Sequence, residues 1–275
     1  AVRDIGTLPG WSTSFGMSIN EQGQVAGYAG RNSSADGRAF RFNGILDGST
    51  LTDLSAASGT ASYAYGINSA GEVTGSVIEG GVLPQAFAYR NGTFTKLGFA
   101  QVGNRSEGRA INGLGQIVGF GNITANATNR ALIYTNGVWG VLPSLIGTEV
   151  VEAFGINDAG QIAGRAVTNG ALRAVLYTAG SRLVAPLIGG AVNNYANAIN
   201  SAGAIAGAMT IGGTARAFRW EQGQNPVLLG GFTPNGYSVA HGINNFRQTV
   251  GAANNAAGTS RAFLHSAEQL YDMND

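Results

Sequence analysis

A phrase built around one asparagine recurs six times along the chain, and this repeat limits the fold more than any other feature. "GINDAGQIAGRAV" at residue 155 returns as "GINSAGEVTGSV" at 66, "AINGLGQIVGFG" at 110 and "AINSAGAIAGAM" at 198. The phrase places an Ile-Asn pair at intervals of 48, 44, 45, 43 and 44 residues, at Asn20, Asn68, Asn112, Asn157, Asn200 and Asn244. Such periods indicate one supersecondary unit copied in an array. We therefore predict one domain over residues 1–275.

Each copy has the pattern of four short antiparallel strands. The Asn-x-x-Gly core followed by an apolar alternation is typical of a type I turn closed by a left-handed glycine between two strands. A later stretch such as "AFAYRNGTFTKL" flanks Asn-Gly with two strand-like runs, which is a strong hairpin signal. In the second copy the predicted strands are "AYGIN", "EVTGSV", "AFAYR" and "TFTKL". Helices are not expected, because the 44 glycines and the asparagines interrupt every window long enough for a helical period.

Four strands in each repeat of about 44 residues are the pattern of a β-propeller blade. Six blades predict an all-β, six-bladed propeller, an architecture that also removes exposed sheet edges. A stacked β-solenoid is the alternative, although its turns usually need about half this period. Both chain ends, "VRDIGTL" and "EQLYDMND", resemble a fourth strand, so one such strand is surplus.

A second marker follows each Asn by sixteen to eighteen residues. It reads Arg38-Ala39-Phe40, Gln85-Ala86-Phe87, Arg130-Ala131-Leu132, Arg173-Ala174-Val175, Arg216-Ala217-Phe218 and Arg261-Ala262-Phe263. The phrase "GINxxGQIxG" with this "xAF" strand resembles the HAF-type repeat of bacterial extracellular proteins, named for His-Ala-Phe, although Arg or Gln stands here in place of His. The likeness spans essentially the whole chain. It implies an exported bacterial β-propeller-like protein, secreted or extracytoplasmic, and no particular activity.

Positions that are the same in all six copies belong to the scaffold, so function is expected where the copies differ. Counted from each Asn, positions −4 and −2 are always Gly, Ala or Ser. Positions −5 and −3 vary widely, and the period-2 geometry of a strand would place both on one face. These residues are Phe15, Met17, Tyr63, Tyr65, Glu107, Arg109, Glu152, Phe154, Tyr195, Asn197, Val239 and His241.

The connections also indicate which end of a blade carries function. The second and third strands are predicted to be joined by eight to ten residues, and the fourth strand and the next first strand by a similar number. In an up-and-down blade these two connections emerge at the same end, which we name the long-loop rim. Loops on a rigid scaffold disproportionately carry function. The candidate ligand-binding residues at this rim are Tyr63, Tyr65, Arg105, Glu107, Arg109, Glu149, Glu152, Tyr195, Asn197, Tyr237 and His241.

Two classes of function remain open for these residues. Tyrosine, arginine and glutamate suit hydroxyl-rich or acidic ligands, which favours a non-catalytic extracellular binding or scaffold module for a glycan (a carbohydrate-binding role) or a cell-envelope protein. The alternative is a polysaccharide lyase or glycoside hydrolase, with Glu107 and Glu152 dividing acid and base work. In a lyase, Tyr237 or His241 would abstract a proton while Arg105 or Arg109 neutralises a uronate carboxylate. The same side chains could also be solvated rim residues or ion pairs between blades.

Composition excludes several other classes. The net charge is +1 and no run of basic residues occurs, which argues against nucleic acid as a partner. No apolar stretch of membrane-spanning length exists, so no membrane insertion is expected. With two His residues, no Cys and none of the common phosphate, calcium or zinc motifs, we predict neither a metal nor another cofactor.

One turn departs from the others. Gly160 should have a positive φ, like Gly23, Gly71, Gly115 and Gly203. Arg247 stands at the equivalent place in the sixth copy, where "NNFRQ" replaces the pattern. We predict that Arg247 is either forced into the left-handed region or changes the turn.

Overall fold

The computed structural model describes residues 4–31, 36–44, 50–54, 60–80, 83–125, 127–144, 151–179 and 181–274. Within these ranges, all regular structure is β, in six four-stranded antiparallel sheets whose strands are consecutive in the chain. The fold is a six-bladed β-propeller, as the repeat predicts. No described segment is helical, and so none could cross a lipid bilayer as a helix.

The chain separates into two compact units, residues 1–142 and 143–275, each containing three blades. In the first unit, blade 1 consists of β1 (Thr13–Ile19), β2 (Val25–Gly30), β3 (Arg38–Phe42) and β4 (Leu51–Asp53). Blade 2 consists of β5 (Ala61–Ile67), β6 (Val73–Ile78), β7 (Gln85–Arg90) and β8 (Thr93–Lys96). Blade 3 consists of β9 (Ser106–Ile111), β10 (Ile117–Gly121), β11 (Arg130–Thr135) and β12 (Val138–Val141).

The second unit has the same organisation. Blade 4 consists of β13 (Val151–Ile156), β14 (Ile162–Thr168), β15 (Ala171–Thr178) and β16 (Ser181–Val184). Blade 5 consists of β17 (Ala191–Ile199), β18 (Ile205–Ile211), β19 (Thr214–Trp220) and β20 (Val227–Gly230). Blade 6 consists of β21 (Ser238–Ile243), β22 (Thr249–Asn254), β23 (Ser260–Ser266) and β24 (Gln269–Asp272). That residues 1–275 act as one domain stays a prediction.

The repeated asparagine closes the turn between the first two strands of each blade. In blade 4 the Asn157 carbonyl accepts the Gly160 amide at 3.0 Å, and the Asn157 side-chain oxygen accepts the Gln161 amide at 2.9 Å. Gly160 has φ +74°, and Arg247 in blade 6 has φ +61° with the same backbone bond to Asn244. The sequence prediction is confirmed in its first form, because Arg247 keeps the turn and takes the left-handed conformation.

The same asparagine also connects neighbouring blades within a unit. The side-chain nitrogen of Asn20 donates to the Asn68 carbonyl at 2.9 Å, and that of Asn68 donates to the Asn112 carbonyl at 2.9 Å. In the second unit Asn157 reaches Asn200 at 3.0 Å and Asn200 reaches the Asn244 carbonyl at 3.1 Å. The Asn therefore serves two roles at once, as turn former and as a bond between blades.

Every first strand carries a β-bulge at position −3. In blade 5, Ala196 pairs with Gly207 and Ala198 pairs with Ala206, so Asn197 is the extra residue. The corresponding extra residues are Met17, Tyr65, Arg109, Phe154 and His241. A bulge bends the strand and re-aims the side chain of the extra residue. The strict alternation assumed from the sequence is therefore interrupted at the most variable position.

Glycine at position +7 allows the chain to pass this bulge. A Cβ on Gly207 would overlap the carbonyl oxygen of Tyr195 on the adjacent strand. All six repeats have the same conflict with the carbonyl of the −5 residue, at Gly27, Gly75, Gly119, Gly164, Gly207 and Gly251. Close backbone approach therefore requires glycine here, independently of φ.

The second marker forms the packed layer of each blade. Its third residue is fully or almost fully buried in all six blades, including Phe40, Phe87, Phe218 and Phe263. Its alanine lies against the following blade, as where Ala217 packs with Ala240 and Phe263. Alternating large and small side chains let neighbouring sheets approach closely.

Two sequence expectations need correction. The connection between the second and third strands is a two-residue turn in blades 4 and 5, Asn169-Gly170 and Gly212-Gly213, rather than a loop of eight or more residues. All four residues of these two turns have positive φ, which the type I′ hairpin needs. The flanking strands therefore extend into the region where a loop was expected. The long-loop rim is therefore uneven.

The two chain ends that resemble a fourth strand differ in the structure. The C-terminal end forms β24 and completes blade 6, whereas residues 4–12 contain no strand.

We expect Gly160→Ala to lower the free energy of unfolding by about 1 kcal/mol, because a left-handed non-glycine residue has that order of cost. No atom lies near the added Cβ, so the loss comes from the backbone alone. Arg247→Gly should be neutral or stabilising, since it relieves the same strain and removes only an exposed ion pair with Glu221. Thermal and urea unfolding of both variants provide the measurement. An unchanged Gly160→Ala protein would contradict this description of the turn.

Gly207→Ala should be more damaging than Gly160→Ala, although Gly207 does not have a positive φ. Its methyl group must displace the Tyr195 carbonyl, and forced backbone shifts of this kind cost about 3 kcal/mol. Urea unfolding of the two variants side by side tests the bulge argument. Equal losses would mean that the strand accommodates the methyl group.

Candidate functional site

Blade 3 brings three predicted site residues into direct contact. The Glu107 carboxylate accepts one bond from Arg105 Nη2 at 2.5 Å and another from Arg109 Nη2 at 2.8 Å. The Glu107 side chain is only 6% exposed, whereas those of Arg105 and Arg109 are 34% and 27% exposed. Positions −7, −5 and −3 of one strand thus form an arginine–glutamate–arginine group with a buried centre and two partly exposed ends.

Aromatic rings support and extend this group. The Arg109 guanidinium lies 4.3 Å from the ring centre of Tyr65 and 5.0 Å from that of Phe120, while Arg105 lies 5.5 Å from Phe120. Such cation–π contacts hold a guanidinium flat against a ring. Phe120 pairs directly with Glu107 across the two strands. The rings therefore restrict where both guanidinium groups can lie.

The aromatic surface continues from blade 3 into blades 2 and 1. Tyr65 stacks on Tyr63 with ring centres 6.5 Å apart and planes within 9°, and Tyr63 meets Tyr28 edge-on at 5.1 Å. Tyr28 in turn stacks on Phe15 at 5.0 Å. We name the whole set the aromatic–arginine strip: Phe15, Tyr28, Tyr63, Tyr65, Phe120, Arg105, Glu107 and Arg109.

Both tyrosines of blade 2 are held in place by polar contacts. Tyr63 bonds to the backbone of Gly37, whose Cα lies so close to the ring that an added Cβ would overlap it. Tyr65 bonds to the side chain of Ser76. Burial raises the pKa of both phenols, and the charge of Arg109 partly offsets that rise for Tyr65. Both therefore remain neutral hydroxyl groups at physiological pH.

The second unit contains a smaller cluster. Glu152 pairs with Arg165, with its Oε2 atom 2.6 Å from Nε, and the guanidinium lies 5.2 Å from the ring centre of Phe154. The Glu152 side chain is 8% exposed. Blade 4 therefore also pairs a largely buried glutamate with an arginine that lies beside an aromatic ring.

Tyr195 and Tyr237 lie near this pair. Burial raises the pKa of Tyr195, Tyr237 raises it further, and the charge of Arg165 acts in the opposite direction. Tyr237 is exposed at the start of β21. Surrounding protein atoms desolvate the His241 ring and lower its pKa, although the residue as a whole is exposed.

Asn197 has a bond that ties blade 5 to blade 6. Its side-chain nitrogen donates to the Ala240 carbonyl at 2.8 Å. This contact makes Asn197 part of the scaffold. Glu149, the remaining candidate, lies outside the described residues.

Position +8 carries site residues that the sequence reasoning missed. It faces position −5 across the first two strands, so Tyr28 pairs with Phe15, Phe120 with Glu107 and Arg165 with Glu152. The signal was present, because +8 follows the invariant +7 glycine and reads Tyr28, Ser76, Phe120, Arg165, Ala208 and Ala252. It has the same variability that identified positions −5 and −3.

The geometry favours binding over acid–base chemistry. Both oxygens of Glu107 are bonded to guanidinium groups, and Glu152 is bonded to Arg165. A general acid or base needs a carboxyl group within reach of substrate. Among the described residues, no group of three His, Cys, Asp or Glu side chains could hold a metal ion. Flat aromatic rings beside partly exposed guanidinium groups are instead a surface for stacking and hydrogen bonding.

We expect Glu107→Ala to destabilise the protein by about 2 kcal/mol, because it leaves two guanidinium groups close together without their shared carboxylate. The figure is kept below that of a fully buried pair because both arginines are partly exposed. Glu79→Ala is the matched control, since the Glu79–Lys96 pair is 2.8 Å long but exposed at both ends. Chemical unfolding of the two variants compares them. Equal losses of unfolding free energy in the two variants would show that Glu107 stabilises the protein no more than an exposed ion pair does.

No protein-family model and no curated protein matches the chain in sequence. Many solved structures match it in fold. The β-propeller domain of the Trilobed protease from Pyrococcus furiosus aligns over 96% of this chain and 84% of its own, with TM-score 0.62 and 10% identity. Virginiamycin B lyase from Staphylococcus aureus aligns over 94% and 83%, with TM-score 0.59 and 13% identity.

TolB from Acinetobacter baumannii aligns over 89% of this chain, with TM-score 0.56 and 13% identity. This chain spans 64% of that protein. At such identities the likeness extends to the fold alone. These structures include a lyase, a protease domain and TolB, and what they share with this chain is the fold.

Proposed function

We propose that this protein is a non-catalytic binding module that recognises a glycan through the aromatic–arginine strip. We further propose that it is an exported bacterial protein of the HAF-repeat type, working outside the cytoplasm. The single observation that carries the binding proposal is the continuous contact of Tyr28, Tyr63, Tyr65 and Arg109 across three blades.

Sugar rings have an apolar face and a polar edge, and the strip offers a matching pair of features. The tyrosine rings supply flat apolar area with a hydroxyl tip. The arginines supply several N–H donors in a fixed plane. Since the rings are already packed against one another, little side-chain freedom is lost when a ligand binds. A protein partner in the cell envelope would use the same groups, but aromatic rings beside guanidinium groups suit a saccharide better.

The test is a glycan array followed by calorimetric titration of each oligosaccharide that binds. We expect Tyr65→Ala to weaken binding about tenfold or more, because an aromatic stacking platform is lost at the centre of the strip. Tyr271→Ala is the matched control. Tyr271 has the same side chain, is exposed, and lies on β24 at the outer edge of blade 6.

Two outcomes would contradict the proposal. One is the absence of any glycan ligand in the array. The other is a ligand whose affinity falls equally in Tyr65→Ala and Tyr271→Ala. Circular dichroism and thermal melts of both variants establish that each remains folded.

A polysaccharide lyase or glycoside hydrolase is supported less well. The carboxylates proposed for acid–base work, Glu107 and Glu152, are largely buried and paired with arginine. The catalytic alternative would require at least one of them to exchange its arginine for substrate. Release of oligosaccharide products by the native protein, lost in Glu152→Gln or His241→Ala, would favour that alternative over the binding module.

A further inference from the structure

The charges of the blade 3 group do not balance. Two guanidinium groups, Arg105 and Arg109, share the one carboxylate of Glu107. Each arginine gives Glu107 one terminal nitrogen, and its Nε atom has no hydrogen-bond partner among the described residues. Since a guanidinium has five N–H donors, most of the donors at this place are unused by the protein.

The two Nε atoms are themselves buried, so a ligand on the strip would reach the terminal nitrogens of these partly exposed side chains. Arg109 rests on Tyr65, which stacks on Tyr63, so a sugar lying on the tyrosine rings would have the guanidinium at its edge. Both arginine side chains retain about a third of their exposure. Contacts with Tyr65 and Phe120 restrict where the two guanidinium groups can lie, and a guanidinium suits a planar acceptor.

The second cluster provides an internal comparison. In blade 4, Glu152 is paired with Arg165, and its side chain is 8% exposed. The arrangement in which two arginines share one carboxylate is described for Glu107 of blade 3.

A negative charge lies beside the middle of the strip. Asp36 is close enough to Tyr63 for its charge to raise the pKa of that phenol. The strip is thus polarised, with Asp36 beside Tyr63 and the two arginines beyond Tyr65. An acidic ligand would bind in one orientation only, with its anionic group toward blade 3.

We propose that the blade 3 group is a carboxylate subsite, so that the glycan recognised by the strip contains a uronic acid or a similar acidic sugar. This inference rests on the proposed function and specifies its ligand class. A carboxylate is the anion of choice because it is planar and matches the guanidinium fork through two parallel bonds. Glu107 is a positioning residue, since its two bonds set the spacing of Arg105 and Arg109.

Three oligosaccharide probes test the subsite by calorimetric titration. They are tri-galacturonate, its fully methyl-esterified form, which has the same rings without the charge, and a sulfated galacto-oligosaccharide of equal length. We expect tri-galacturonate to bind about ten- to a hundredfold more tightly than its ester, in line with hydrogen bonds to a charged group. The affinity of the sulfated probe should fall between those of the acid and the ester, because a sulfate group is charged but tetrahedral, whereas a carboxylate is planar.

Variants identify the residue that provides the preference. Arg109→Ala should reduce the ratio of acid to ester affinity to about one, while Arg109→Lys should retain part of it, since the charge remains and the planar fork is lost. Arg247→Gly is the matched control for net charge. It removes one exposed arginine at the turn end of blade 6 and should leave the ratio unchanged.

Each outcome decides between the subsite and the broader proposal. If acid and ester bind equally well and Tyr65→Ala abolishes both, the subsite is wrong and the glycan-binding function stands. If the sulfated probe binds most tightly, the anion is a sulfate and the carboxylate assignment is wrong. If Arg247→Gly lowers the ratio as much as Arg109→Ala, the preference is a general charge effect. If no glycan of any charge binds, the proposed function itself fails.

Discussion

One side chain, the asparagine of the first turn, is the contact on which the rest of the structure depends. Its oxygen closes the turn on the Gln24, Glu72 or Gln161 amide, and its nitrogen reaches the carbonyl of the next asparagine in the same unit. An unsatisfied buried amide would be costly, so both ends of the side chain specify where the neighbouring blade must lie. Aspartate could close the turn but could not donate to the neighbour. Asn20, Asn68, Asn157 and Asn200 make both bonds, and the asparagine of every copy closes its turn.

The β-bulge in each first strand leaves position −3 free to vary, so that this position can contribute to function. The backbone carbonyl of residue −5 approaches the +7 glycine so closely that no side chain fits there, and the extra residue at −3 is turned out of the alternation. Positions −5, −3 and +8 are then neighbours in each blade, while positions −4 and −2 stay small. The scaffold can vary Tyr, Arg, Glu, Phe and Ala at these places with little effect on the blade. This separation is how one repeat can keep its fold and display a different surface from each copy.

Most of the fold could be predicted from the sequence, because turns and strand alternation are local. The Asn-x-x-Gly turns, the Asn-Gly hairpins and the four strands of each blade follow from residue conformational preferences within a few positions. The tight turns at Asn169-Gly170 and Gly212-Gly213 were missed since strand length was assumed equal in all copies. The site was harder to predict. Glu107 and Arg109 were found by their variability, but their mutual bonding and the contribution of Phe120 depend on cross-strand register, which the bulge shifts by one residue.

We expect ligand contacts to fall on the variable positions −5, −3 and +8 and not on the repeated asparagines. NMR mapping of the 28.0 kDa protein during a titration with acidic oligosaccharide measures this most directly, through the arginine Nε–H signals and the tyrosine ring signals. The predicted result is a shift of Arg105, Arg109, Tyr63 and Tyr65, with the asparagine side-chain amides unchanged. Shifts confined to the turn residues Leu114 and Phe246, at the opposite end of the blades, would contradict it.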